Sequence, residues 1–179
     1  MKILLLPVGM LCLLLVSNQS AAEQPGRAME TEMTDYAAAP SESEVFLFTA
    51  INRIRSRHGL APLRQSDRLA RIARAHSRDM AQRGVLGHTD GAGRDIEARI
   101  TAAGIKGWRM IGENVGRSFG RRDNALVMLS IWMESGPHRR NILSRDFDQT
   151  GIGTATADDG TLYATQVFMG STETPPDAR

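Results

Sequence analysis

From residue 41 onward the apolar positions recur first at helical and then at strand spacing, with glycine and proline marking the joins. Val45, Phe48, Ile51 and Ile54 predict a first helix, opened by the capping box Ser41-x-x-Glu44 and stopped by Gly59. Pro62 and Ser66 separate it from a second helix over about Asp67 to Arg83, ended by Gly84. At about 100° per residue, Leu69, Ile72, Ala73, His76 and Met80 share one stripe, while Arg68, Arg71, Arg74 and Arg78 lie opposite as a solvated face. The loop Gly87-His88-Thr89-Asp90-Gly91 leads to a short helix from Asp95 to Ala103, with Ile96 and Ile100 inward and Gly104 at its end. A strand over 109–116 and a helix from Arg122 to Glu134, using Ala125, Leu126, Leu129 and Trp132, come next. Ser135-Gly136-Pro137 breaks that helix, and His138 to Leu143 forms one more turn. The runs 150–156 and 161–169 flank Asp159-Gly160, a hairpin signal. Helices before and between strands, without a regular βαβ repeat, predict an α+β fold with helices packed on a small sheet.

The two ends follow other rules. Met1-Lys2, the fourteen-residue apolar run Ile3 to Val16 and the small residues up to Ala22 have the form of a signal peptide cleaved near Ala22. That run is well short of the roughly 20 residues that span a bilayer. Residues 23–43 are an acidic leader with too little apolar surface to offset ordering entropy. Residues 171–179, with Pro175-Pro176, form a similar tail, so the folded domain is expected over 44–170 and the chain is expected to be exported.

Composition sharpens this. The chain carries a net charge of +2, yet residues 23–45 hold six acids against the single Arg27, so the basic charge lies in the domain. For an exported protein this favours anionic envelope polymers or lipid headgroups over nucleic acid as partners. Cys12, inside the apolar leader, is the only cysteine, which leaves the domain without disulfides, thiol nucleophiles or thiolate metal ligands.

Several pieces, in order, resemble the CAP superfamily of cysteine-rich secretory, antigen 5 and pathogenesis-related proteins, in its cysteine-free bacterial branch. Phe48 to Leu63 resembles the opening helix and its Gly-Leu-x-Pro-Leu turn, and Leu69 to Met80 the helix that follows. Gly87 to Gly91, Gly112-Glu113-Asn114, Trp132 to Leu143, Gly151-x-Gly153 and Gln166-x-Phe168 continue the likeness. The resemblance implies an α-β-α sandwich with a small, mostly antiparallel sheet and a cleft lined by histidines and acids. Carried over by position, the cleft residues are His88, Glu113 and His138, with Glu134 as the nearest counterpart of a second glutamate. Ser135-Gly136-Pro137-His138 reverses the family's Pro-Gly order, which moves the missing N–H by one residue.

Two neutral imidazoles in one cleft, His88 and His138, suit a weakly bound divalent ion such as Zn²⁺, whereas a tight site needs a third protein ligand. The alternative is a polar cluster that ties sheet to helices. A hydrolase would use Glu113 as base toward an activated water. His76 lies on an apolar stripe and is expected to be a core histidine. These features lead to three expectations: a non-catalytic binding module for a small amphipathic or envelope-derived ligand, a metal-dependent hydrolase using His88, His138 and Glu113, or an adhesive surface using the arginine face of the second helix. A monomer is expected.

Overall fold

The computed structural model describes residues 39–120 and 124–172. The expected signal peptide, nearly all of the leader, Arg122 and most of the tail lie outside the described residues. Helix α1 (Glu42–Arg57) is followed by β1 (Arg64–Gln65), α2 (Asp67–Arg83), α3 (Ile96–Ala102) and β2 (Trp108–Ser118). Then come α4 (Asn124–Glu134), α5 (Gly136–Leu143), β3 (Gln149–Thr156) and β4 (Leu162–Ser171). The sheet order is β1-β3-β4-β2, with β1 parallel to β3 and the other pairs antiparallel.

Helices cover both faces, which makes an α-β-α sandwich. On one face Leu47 and Ile51 of α1, Met128 and Trp132 of α4 and Ile142 of α5 pack with Ile152, Ala164 and Phe168 of the sheet. On the other, Leu69, Ile72 and Ala73 of α2 and Ile100 of α3 pack with Val167 and Met169. The alternation of Phe168 with Val167 and Met169 shows β4 buried on both sides, as an inner strand of a covered sheet must be. The described residues contain no cysteine, so packing and polar ties alone hold the layers together.

Glycines set the distance between α2 and the sheet. A Cβ on Gly151 would lie 2.1 Å from the backbone nitrogen of Ala70, and one on Gly153 would lie 2.0 Å from that of Arg74. The helix backbone rests directly on β3, where no side chain fits. Ser77 Oγ donates to Gly153 O at 2.9 Å at the same contact.

The structure corrects several sequence expectations. Helix α1 begins at Glu42, so Glu42 and Ser43 leave the leader, because the Ser41–Glu44 capping box is formed. Ser171 leaves the tail, since it pairs with Trp108 and its N–H donates to Asp148 Oδ1 at 2.7 Å. The buried stripe of α1 is Glu44, Leu47, Ile51 and Arg55, and Val45 is exposed. Both charges are buried with partners: Glu44 binds Arg74 at 2.6 Å and Thr154 N–H at 3.0 Å. Arg55 donates to the carbonyls of Ala61, Ile142 and Ser144. Leu126, expected inward, is exposed, while Met128 takes the core position. The arginine face of α2 is not simply solvated either, since Arg74 joins Glu44, Arg68 donates to Ala103 O, and Arg71 and Arg78 also have partners.

Candidate functional site

The edge strand β2 packs against helices of both layers. Its side chains alternate: Ile111 and Val115 face α2 with their clusters, while Gly112 and Gly116 approach Phe147 and Met128 on the other side. Glu113 shares the direction of Ile111 and Val115, and Asn114 the opposite one. Glu113 is 8% exposed, and both of its oxygens are engaged. Oε1 accepts from His88 Nδ1 at 2.8 Å and Oε2 from Arg99 Nη2 at 2.9 Å.

A carboxylate can only accept, so His88 Nδ1 carries the proton and the neutral ring keeps its lone pair on Nε2. The His88 side chain is 58% exposed, which presents that ring to solvent. The hydrogen bond that His88 donates to Glu113 is the largest influence on His88 and raises its pKa above the ordinary histidine value.

His138 comes from the other layer, in the first turn of α5. Ser135-Gly136-Pro137, expected only as a break, also starts this helix: Ser135 is the N-cap and proline occupies the first turn. The backbone is pinned to β2. Asn114 Nδ2 donates to His138 O at 3.2 Å, and Asn141 Nδ2 donates to Glu113 O at 3.2 Å and to Asn114 Oδ1 at 2.9 Å. The His138 ring is partly buried, and its pKa is lowered by desolvation and then by the nearby charge of His88.

Glu113 thus holds the His88 ring and Asn114 holds the His138 main chain, and the charge of His88 is felt at the His138 ring. Glu134 is not joined to them: it ends α4 in an exposed position, with no described hydrogen bond to His88, Glu113 or His138. The helix stops at Ser135, so the four-residue spacing from Glu134 to His138 does not bring their side chains onto one helical face. His76 is a core residue, 1% exposed, whose Nε2 meets Gly87 O at 2.8 Å; burial lowers its pKa. Arg99 was not singled out from the sequence, because an arginine on a short helix reads as a surface residue. Its only sequence signal is the place it takes one position before Ile100 on the inward side.

Among the described residues no group of three or more His, Cys, Asp or Glu is arranged to hold a metal ion. Two imidazoles beside a carboxylate already bound by Arg99 do not fit a tightly held Zn²⁺, which needs at least three protein ligands.

The family model described as cysteine-rich secretory protein family, CAP, matches residues 48–168. The Bacillus subtilis protein YkwD is 31% identical over 159 residues, covering 86% of this chain and 57% of that protein. The Bacillus subtilis membrane protein YlbC is 26% identical, covering 71% and 35%. The chain therefore spans about half or less of the length of these curated relatives. Among solved structures, an extracellular SCP-domain protein of Bacillus anthracis aligns with a TM-score of 0.61 at 25% identity, over 74% of this chain and 45% of that one. An outer surface protein of Borrelia burgdorferi aligns at 0.66 and 17% identity, over 75% and 96%, and shows the same fold.

Proposed function

This chain belongs to the cysteine-rich secretory protein family, CAP, and from that premise we propose that it is an exported, non-catalytic binding module. Its cleft lies along β2, with His88 and His138 as the polar contacts for a small amphipathic or envelope-derived ligand. The observation that carries this reading is the double engagement of Glu113. A carboxylate bound on both oxygens acts as an orienting group, and it leaves His88 Nε2 as the open acceptor at the surface. Val85 and Leu86, 48% and 41% exposed just before His88 in the same loop, add apolar surface beside that acceptor.

Export is supported by the signal-peptide pattern of residues 1–22 and by the extracellular and outer-surface relatives. No helix among the described residues is long and apolar enough to cross a membrane. The hydrolase reading has less support, because Glu113 has no free oxygen to act as base and the donor set does not hold a third metal ligand. The adhesive reading also has less support, since the arginines of α2 are engaged within the protein.

The test is titration with a dansylated fatty acid and with soluble wall fragments, using wild type, His88→Ala and His138→Ala. At least one probe is expected to bind, with affinity reduced about tenfold or more in each variant. Binding that is indifferent to both substitutions would remove the cleft from the account. Hydrolysis of either probe that needs both histidines and an added divalent ion would overturn the non-catalytic reading.

A further inference from the structure

His88 sits in the loop between α2 and α3, yet it is tied down at two points by one buried side chain. Arg99 is 7% exposed. Its Nη2 donates to His88 O at 2.9 Å and to Glu113 Oε2 at 2.9 Å, while its Nε donates to Asp95 O at 3.2 Å. Glu113 Oε1 then accepts from His88 Nδ1 at 2.8 Å. A closed circuit therefore leaves the His88 main chain, passes through the guanidinium and the carboxylate, and returns to the His88 ring. The carbonyl one residue earlier, Gly87 O, is met by the buried His76 at 2.8 Å. Two neighbouring loop carbonyls are thus met by side chains from two different helices.

The chemistry of the guanidinium suits this task. Its donors form a rigid planar fork that serves several acceptors at once, whereas a lysine ammonium is a compact point charge on a flexible stem. Without such a tie, an imidazole that is 58% exposed on irregular backbone would sample other rotamers and both neutral tautomers.

We propose that Arg99 is the positioning residue of the cleft: it fixes His88 by its carbonyl and, through Glu113, by its ring, so that Nε2 meets the ligand in one tautomer. The inference rests on the reading of this cleft as a binding site, but its first test needs no ligand. In ¹⁵N-labelled protein in mildly alkaline buffer, where the ring is neutral, two-bond ¹H–¹⁵N spectra report which ring nitrogen of His88 is protonated. Wild type is expected to show the Nδ1–H form. Arg99→Lys, which keeps the charge and loses the fork, is expected to show a mixture containing the Nε2–H form, with the His76 and His138 signals in place. Affinity for the bound probe is expected to fall about tenfold, the low end of what losing a ligand-orienting partner costs.

An Nδ1–H signal in Arg99→Lys as pure as in wild type would overturn the proposal. Arg99→Gln, which keeps the side-chain amide donors and loses the charge, is expected to show the same mixture; should it fail to fold, the lysine variant alone decides. A changed tautomer together with unchanged probe binding in both His88→Ala and His138→Ala would sink the cleft reading and leave the role of Arg99 standing, so the two failures are distinguishable.

Discussion

At the scale of single residues, His88 and His138 are separated by their surroundings. His88 is held above the ordinary value, first by its hydrogen bond to Glu113, while His138 is held below it, first by desolvation. On lowering the pH from 8, His88 is therefore expected to protonate before the free-histidine value of 6.5 is reached and His138 only after it is passed. NMR titration of the ring protons would check the order, and Glu113→Gln should move the His88 midpoint downward. The linkage signs are opposite. The raised pKa of His88 contributes stability below 6.5 that is lost as pH rises through its folded value. The lowered pKa of His76 and His138 makes stability complete above 6.5, and it falls as pH drops through their folded values. Replacing Glu113 also strands the buried Arg99 charge, with side chains only 2% and 6% exposed. Chemical denaturation of Glu113→Gln should then show a loss of about 3 kcal/mol, as for other buried pairs broken on one side.

At the scale of elements, the boundaries of α2 and the β3–β4 hairpin were legible because local chemistry dictates them. Ser66 caps α2, Gly84 ends it in the left-handed region at φ 65°, and Gly160 turns the hairpin at φ 84°. The facing of α1 was not legible. Glu44 and Arg55 take core positions that periodicity assigns to apolar residues, and their partners, Arg74 and the carbonyls of Ile142 and Ser144, are distant in sequence. Strand β1 escaped for a related reason, since two residues paired to β3 have no pattern of their own. The pairing of His88 with Glu113 was legible only through the resemblance, because 25 residues separate them and no spacing rule joins them. Arg99 was missed by both routes. The packing of α2 on β3 gives the clearest element-scale prediction. Gly153→Ala should destabilise the fold by about 3 kcal/mol, the upper part of the usual overpacking range, because the obstacle is helix backbone and cannot rotate away. A urea midpoint unchanged from wild type would show that α2 can lift. Glu44→Ala should cost a similar amount by removing one side of a buried pair that also holds Thr154 N–H.

At the scale of the whole molecule, the sandwich explains why a site can form from such separated segments. Strand β2 is tied to His88 through Glu113 and to the His138 main chain through Asn114, which joins the two proposed contact residues to one strand. Variants that disturb either layer should therefore reach the proposed cleft, and Asn114→Ala is expected to weaken probe binding as His138→Ala does, while leaving the His88 tautomer unchanged. Hydrogen bonds from Asn114 and Asn141 are the ties it removes. The absence of sulfur crosslinks in the described fold has its own outcome. Thermal melts recorded with and without reductant should superimpose, and the domain should be obtainable from the reducing interior of a production host, with no oxidative shuffling to slow its recovery from denaturant.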